Sequence, residues 1–367
     1  MKNNKEKIIF LNNHFQYSDG TVRALIGLVN NLDPDKYDIT IKPIYLCDKR
    51  LKPELRQGIK LEEGFGFYFK GFDKIVRNLP LKWLYRKFIN GKYDIEVGFQ
   101  FGVPTLLVGN SMNNNAAHII WTHGYDSELK YQDCYLKADR VVCVSKYNAL
   151  RFKHDLNDKI KVDYCYNIVD DKNIFRLASE PINIAYAKKP LLVSVGRHSP
   201  EKGYLRLINI LHDLHNEGYL FTLLLVGDGP EHKKIKQRIS ELGMGDCIIL
   251  TGSTVNPHKY TSKADVFVCS SLSEGYSTAC TEAAILGIPI LTTDVAGGQE
   301  IIEEAECGML VGLDDKSLKD GLRIILGNPN ILSKWKQKAQ ATSYKFKLRT
   351  RKQAVKALFN DFDRIKK

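Results

Sequence analysis

The sequence predicts an α/β protein in which two doubly wound parallel sheets follow one another along the chain and face a cleft. Short apolar runs alternate with amphipathic helical stretches throughout, which is how β-α-β units read. The length of 367 residues is more than one core of ordinary size organises. The apolar runs also form two series, separated by a stretch without periodicity.

In the first series "KIIFLN", "DITIKPIYL", "DIEVGFQF", "AHIIWTH" and "RVVCVS" are predicted strands. The second comprises "PLLVSVG", "FTLLLVG", "CIILTG", "DVFVCSS", "PILTTD" and "GMLVG", whose runs end at Gly, Ser or Asp and mostly lead into a helix. Between the series lies "YCYNIVDDKNIFRLASEPINIAYAKKP", with a proline at each end of its second half. The linker is expected there, giving a first domain over 1–183 and a second over 184–348. No short solenoid repeat or low-complexity segment interrupts this order. Parallel sheets of this kind bind ligands outside the carboxyl ends of their strands, so motifs at those ends carry the most weight.

A net charge of +12 calls for an anionic partner: nucleic acid, acidic lipid or a phosphorylated substrate. The eight cysteines (Cys47, Cys134, Cys143, Cys165, Cys247, Cys269, Cys280 and Cys307) are scattered without a CxxC pair, a pattern of buried thiols in a reducing cytoplasm. The apolar run Ile8–Leu11 near the start is too short for a signal-peptide core. No stretch approaches the ~18 apolar residues of a membrane span. A cytoplasmic protein is expected.

The strand "DVFVCSS" leads into "SEGYSTACTEAAILGIPILTTDVAGGQEII", residues 273–302. The turn Gly275-Tyr276-Ser277-Thr278 precedes a helix whose unpaired first amides and positive dipole end favour phosphate or developing negative charge. Glu274 stands before this turn and Glu282 in the first turns of the helix. A capping-box role for Glu282 would need Ser or Thr three residues earlier, where Ala279 stands. A solvated loop acid is the bland alternative for Glu274.

In "SVGRHSPEKGYLRLI", residues 194–208, Arg197 and Lys202 flank a strand-to-helix loop, and two cations there can neutralise a departing pyrophosphate. Ordinary surface charge is the alternative. The order GxxxxGK[ST] of a Walker A loop is absent, since Gly203 follows the lysine. "VGDGPE" at 226–231 lacks the third glycine of a dinucleotide fingerprint, having His232 in its place, and reads as a tight turn.

In order and spacing, "VGRHSPEKG", "LLLVGDGPE", the Glu-x7-Glu pair and "AGGQEII" resemble glycosyltransferase family 4, the retaining nucleotide-sugar transferases of bacterial polysaccharide biosynthesis. The resemblance spans roughly the second half of the chain. It implies the GT-B fold, two Rossmann-like domains with an acceptor-binding first and a nucleotide-sugar-binding second. A helix over 349–367 would return to the first domain.

The resemblance further implies that Arg197 and Lys202 bind the diphosphate, that Glu274 faces the donor sugar and that Glu282 holds the ribose hydroxyls. Gly196, Gly275 and the amides of Tyr276, Ser277 and Thr278 would meet the sugar or phosphates. "STAC" follows "EGY" where the family often has glycine and proline, which leaves the hexose open.

The first half matches more loosely. Gly20 is the single glycine of "NNHFQYSDGTVRAL", and with Thr21 it would approach the diphosphate; a plain turn residue is the equal alternative. In "IIWTHGYD", a lone histidine such as His123 is usually structural, but it stands at a strand end where the family often has a histidine that contacts the donor sugar, and the resemblance implies that role, with Asp126 a weaker candidate. Asp33-Pro34-Asp35 and Asp361-Phe362-Asp363 look like DxD metal motifs but sit at no convincing strand end. They read as surface acids, and no metal or other cofactor is expected.

Residues 70–92, "KGFDKIVRNLPLKWLYRKFINGK", mix basic and apolar side chains. They read equally as a core-packed helix or as an interfacial helix on the anionic inner face of the plasma membrane. The family's lipid-linked acceptors tilt the reading toward the membrane.

The expected reaction is transfer of a hexose or N-acetylhexosamine from a nucleotide diphosphate sugar, UDP-linked by expectation, to a glycan or lipid-linked acceptor. A nucleotide-sugar epimerase or a glycosyl phosphorylase is the alternative on the same fold. A nucleic-acid-binding protein would also suit the charge, but no recognition module is present and the strand-end motifs would have no purpose.

Overall fold

The computed structural model describes residues 5–16, 20–125, 129–182, 184 and 189–365. The chain forms two compact units, Met1–Val169 with Arg351–Lys367, and Asp170–Thr350.

The first unit holds seven parallel strands: β1 (Glu6–Asn12), β2 (Tyr37–Pro43), β3 (Lys60–Leu61), β4 (Ile95–Gly98), β5 (Ala117–Thr122), β6 (Arg140–Cys143) and β7 (Val162–Tyr164). Their order across the sheet is β3-β2-β1-β4-β5-β6-β7. Ile8, Ile9, Phe10 and Leu11 are fully buried in succession, as a central strand covered on both faces requires. The five apolar runs of the first series all form strands. The two further strands, β3 and β7, are edge strands too short and polar to stand out in sequence.

The second unit holds β8 (Leu191–Val195), β9 (Thr222–Val226), β10 (Ile248–Gly252), β11 (Val266–Cys269), β12 (Ile290–Thr293) and β13 (Met309–Val311), in the order β10-β9-β8-β11-β12-β13. In both sheets the order reverses beside the first strand, between β1 and β4 and between β8 and β11. Such a reversal opens a crevice at the carboxyl ends of its two flanking strands.

The units divide at Val169/Asp170, earlier than the 183/184 boundary expected from sequence. The cause is a helix in the supposed linker, Asp171–Ala178, N-capped by Asp170, which accepts from Asn173 N–H at 3.1 Å. Its end is tied into the second unit: Asn256 Nδ2 donates to the Leu177 carbonyl at 2.9 Å and Ser262 Oγ to the Ala178 carbonyl at 3.1 Å.

The last helix, Leu348–Phe362, crosses the other boundary, and from Arg351 onward it belongs to the first unit. Phe359 is buried there against the rings of Phe10, Tyr37 and Trp121 at 5.9–6.5 Å. Asp361 accepts from Arg140 at 2.7 Å and from Lys161 at 3.0 Å, while the nearly buried Asp363 pairs with Lys36 and accepts from the Tyr37 hydroxyl at 3.2 Å. Asp363 is therefore an anchor of this helix, a correction to its reading as a surface acid. Asp33 and Asp35 are exposed and shape the turn before β2, with Asp35 N–H donating to Asp33 Oδ1 at 2.9 Å.

Residues 70–92 form two short helices, Phe72–Arg77 and Leu81–Phe88, with Pro80 at the break. Phe72, Leu84, Tyr85, Phe88 and Ile89 are buried in the core, so one continuous interfacial helix is not formed. An aromatic edge remains outside: Phe67, Phe69, Ile75 and Trp83 are each about half exposed. Among the described residues no helix is long and apolar enough to cross a membrane. All eight cysteines are free thiols, and only Cys47 among them is not buried.

Candidate active site

Two loops meet at the order reversal of the second sheet. After β8 the chain runs through Gly196 and Arg197 into a single turn, Pro200–Lys202, and then the helix Tyr204–Asn216. After β11 it runs through Ser270 to Glu274 into the helix Thr278–Ile285. The loops are joined by backbone: Leu272 N–H donates to the Glu201 carbonyl at 2.7 Å, and Ser270 Oγ to the Lys202 carbonyl at 2.9 Å. Gly203 has φ +66°, and a Cβ on it would lie 2.5 Å from the Ser270 carbonyl oxygen.

Their charged side chains meet as well. Lys202 Nζ donates to Glu274 Oε1 at 2.6 Å, and Ser271 Oγ donates to the same oxygen at 2.7 Å. The pair is largely enclosed, with side-chain exposures of 23% and 12%. Burial works against the ammonium charge, but the Glu274 carboxylate outweighs it and raises the Lys202 pKa. Lys202, Glu274 and Ser277 line one small cavity with Ser194, Ser271 and Tyr204. Gly196 borders it, because an added Cβ would lie 2.8 Å from the Tyr204 hydroxyl and 3.4 Å from Lys202 Cε.

Arg197 is exposed at the same strand end and forms no ion pair or hydrogen bond through its guanidinium among the described residues. Lys202 is thus already partnered, whereas the Arg197 guanidinium has no such partner among the described residues.

Ser277 N-caps the helix Thr278–Ile285, its Oγ accepting from Cys280 N–H at 3.3 Å. One of the helix's first amides is therefore satisfied internally, a correction to the expectation that all are bare. Tyr276 is buried, and Gly297 packs on it so closely that a Cβ would lie 2.6 Å from its ring. This contact accounts for the glycine in "AGGQEII" at that position. Glu282 is half-buried on the helix, with His258 Nδ1 3.8 Å from its Oε2. It does not line the cavity of Lys202 and Glu274.

"VGDGPE" has a more definite role than a tight turn. Gly227 has φ +141°, and a Cβ there would lie 2.0 Å from the Gly196 carbonyl oxygen; one on Gly229 would lie within 2.6–2.9 Å of the His198 backbone. The loop after β9 is thereby pressed against the Arg197 loop. Gly196 N–H donates to the Val226 carbonyl at 3.0 Å and His198 N–H to that of Asp228 at 2.9 Å.

In the first unit, Gly20 opens the helix Gly20–Asn31, and a Cβ on it would meet nothing within 4 Å, so no crowding demands glycine there. The neighbouring Thr21 hydroxyl accepts from Gln100 Nε2. His123 follows β5 with its ring 4.5 Å from that of Phe99 and its Nε2 buried without a hydrogen-bond partner. Burial lowers its pKa to about 3, so the imidazole is neutral at physiological pH. Asp126 lies outside the described residues.

Sequence reasoning passed over Ser271, which donates to Glu274, and Thr293, whose hydroxyl donates to the Ser271 carbonyl at 2.5 Å. Their signal was the hydroxyls closing "DVFVCSS" and "PILTTD", at strand ends beside the order reversal. A polar hollow of the first unit, lined in part by Asn110, His118, Lys137 and Asp139, lies at the amino ends of β5 and β6, away from the ligand-binding edge of such sheets. Among the described residues, one group of three side chains has metal-ligand character: His198, Asp228 and His232.

Residues 176–342 match the family "Glycosyl transferases group 1". The chain is 27% identical over 348 residues to the N-acetylgalactosamine-N,N'-diacetylbacillosaminyl-diphospho-undecaprenol 4-alpha-N-acetylgalactosaminyltransferase of Campylobacter jejuni, covering 91% of each chain. It is 24% identical over 351 residues to the lipopolysaccharide core biosynthesis glycosyltransferase LpsD of Rhizobium meliloti, covering 90% of this chain and 95% of LpsD. Among solved structures, HepE of Anabaena in complex with UDP superposes with a TM-score of 0.73 at 18% identity, covering 97% of this chain and 100% of HepE. With two parallel Rossmann-like sheets and a group 1 transferase match across most of the second, the chain is a glycosyltransferase of the GT-B fold.

Proposed function

We propose that this glycosyltransferase is a retaining enzyme that moves a hexose or N-acetylhexosamine from a nucleotide diphosphate sugar, UDP-linked by preference, to a glycan or lipid-linked acceptor in cell-surface polysaccharide synthesis. The observation that carries this reading is the enclosed Lys202–Glu274 pair beside an exposed, unpaired Arg197 at the order reversal of the second sheet. The names of the Campylobacter and Rhizobium relatives support the acceptor class, and the UDP in the HepE complex supports the donor.

In this reading Arg197 receives the diphosphate as negative charge develops on it. Lys202 supplies a second positive charge and holds Glu274 in place. Both contacts to Glu274 go to Oε1, which leaves Oε2 for a hydroxyl of the donor sugar. The acceptor hydroxyl attacks from the face the leaving group departs, and the diphosphate takes its proton. Gly196, Gly275 and the amides from Tyr276 to Thr278 border the phosphates and sugar, and Glu282 binds the ribose. Gly20 and Thr21 are assigned to the donor, and His123 acts as a neutral hydrogen-bonding group. Arg197 and Lys202 are assigned to the charge of the diphosphate, and no metal is part of this reading.

Glu274→Ala is expected to lower kcat by about 10²- to 10³-fold with little change in UDP affinity, as for loss of a transition-state contact. Glu282→Ala is expected to weaken UDP binding by about 10- to 100-fold, the worth of a charged hydrogen bond. Calorimetric titration with UDP and product analysis with lipid extracts separate the two; full transfer activity in both variants would refute the roles. Turnover of the nucleotide sugar without acceptor would favour an epimerase, and dependence on inorganic phosphate a phosphorylase.

The aromatic edge of the first unit extends the proposal to a peripheral membrane contact on the cytoplasmic side. The Phe67 and Phe69 rings lie 4.8 and 4.9 Å from the buried Phe72, and the Phe65 ring stacks on Trp83 at 6.5 Å. Lys70, Lys74, Lys82, Arg86 and Lys87 are exposed around them. Each basic residue near an anionic surface contributes about 1 kcal/mol. The protein is expected to co-sediment with phosphatidylglycerol vesicles and not with phosphatidylcholine vesicles, and Phe67→Ser with Trp83→Ser should release it. Equal sedimentation of wild type and variant would remove this contact.

A further inference from the structure

We propose that His198, Asp228 and His232 form a binding site for a divalent transition metal of the zinc class, which ties the loop carrying Arg197 to the loop after β9. Each of the three offers one ligand atom, and these atoms all lie within 4.8 Å of one another. His198 Nδ1 is 3.0 Å from His232 Nδ1, and His232 Nδ1 is 3.3 Å from Asp228 Oδ1. A tetrahedral ion bonded at about 2.0–2.1 Å to imidazole nitrogen and carboxylate oxygen sets neighbouring ligand atoms about 3.3–3.4 Å apart, so His232 stands close to that spacing from both His198 and Asp228, and the third pair lies within 4.8 Å.

The backbone holds them there. His198 is fully buried, its N–H donates to the Asp228 carbonyl at 2.9 Å, and its own carbonyl accepts from Glu231 N–H at 2.8 Å. Gly229 lies flush against the His198 backbone, which brings Asp228 beside the imidazole. His232 opens the helix His232–Glu241, four residues after Asp228. Asp228 Oδ1 also accepts from Gly229 N–H at 2.6 Å, a contact that orients the carboxylate as outer partners orient metal ligands.

Two nitrogens facing each other at 3.0 Å share one proton, and a metal ion in its place engages both lone pairs and the carboxylate together. The fold makes no other hydrogen-bonding use of the buried ring: His198 Nε2 has no partner. Asp228 and His232 are 56% and 27% exposed, giving an ion a path in and water a place as fourth ligand. Two imidazoles and one carboxylate suit zinc, cobalt or nickel, whereas magnesium and calcium prefer an all-oxygen shell. From sequence no metal is expected anywhere in the chain, and this site departs from that expectation; no step of the transfer passes through this ion.

Full-length protein dialysed against chelator and titrated with Zn²⁺ at neutral pH is expected to bind one equivalent, and Co²⁺ should give the visible absorption of a tetrahedral site. His232→Ala should abolish the bound equivalent, Asp228→Asn should weaken it 10-fold or more, and His154→Ala, at an exposed histidine elsewhere, should leave it intact. Zn²⁺ should raise the melting temperature of the wild type and not of His232→Ala. Absence of stoichiometric binding would mean that the two histidines form a plain hydrogen-bonded lock, and binding that persists in His232→Ala and Asp228→Asn would place the ion outside this group of side chains. Either result overturns the site. Should His232→Ala fail to fold, Asp228→Asn at the exposed carboxylate decides.

Discussion

Lys202→Met is expected to destabilise the second unit by about 3 kcal/mol, because it leaves the Glu274 carboxylate enclosed with Ser271 as its remaining side-chain donor. Breaking a buried pair from one side costs more than removing both charges, so Lys202→Met combined with Glu274→Gln should recover most of the loss. Transfer behaves differently. Both the single and the double variant are expected to lose about 10²- to 10³-fold in rate, since neither restores positive charge beside the diphosphate. The urea midpoint of the second unit, followed by hydrogen exchange of β8 and β11 amides, reads the stability; initial rates with a UDP-sugar read the transfer. If the double variant regained activity along with stability, the pair would be a structural tie and not part of the reaction.

Gly227→Ala is expected to cost about 3–5 kcal/mol and to abolish donor binding. Two effects add: a positive φ of +141° that an L side chain adopts only under strain, and a Cβ placed 2.0 Å from the Gly196 carbonyl oxygen. The clash is with backbone, so no rotamer change relieves it. The loop after β9 must back away, and the Arg197 loop loses its support. Gly245, which has open space around it, is the control, and Gly245→Ala should change stability by no more than about 0.5 kcal/mol. Thermal melting and a UDP titration of both variants test this, and equal behaviour would show that the loop contact is dispensable.

Part of the candidate site is legible in residue types, because ligands of parallel sheets bind at strand ends and the motifs there can be singled out. Arg197, Lys202 and Glu274 could be picked out beside predicted strands before any contact was known. The helix Asp171–Ala178 was missed because its buried residues, Ile174 and Ala178, cover a single turn, too little periodicity to separate a helix from a linker. The stretch 70–92 was ambiguous for a related reason: amphipathic spacing shows that one face is apolar but not what covers it. Phe72, Leu84 and Phe88 turn out to be core, while the exposed aromatics Phe67 and Phe69 lie just outside the stretch.

The sequence by itself determined the alternation of strands and helices, the two-series organisation and the chemical character of each strand-end loop. These depend on periodicity among near neighbours, where side-chain direction follows directly from backbone geometry. Only the tertiary structure decided that Lys202 meets Glu274, 72 residues away, that His198 meets His232, 34 residues away, and that Asp363 is an anchor rather than a surface acid. Such pairings depend on strand order and on how closely loop backbones approach, and the residues that permit the approach, above all Gly227 and Gly229, look in sequence like any other turn glycines.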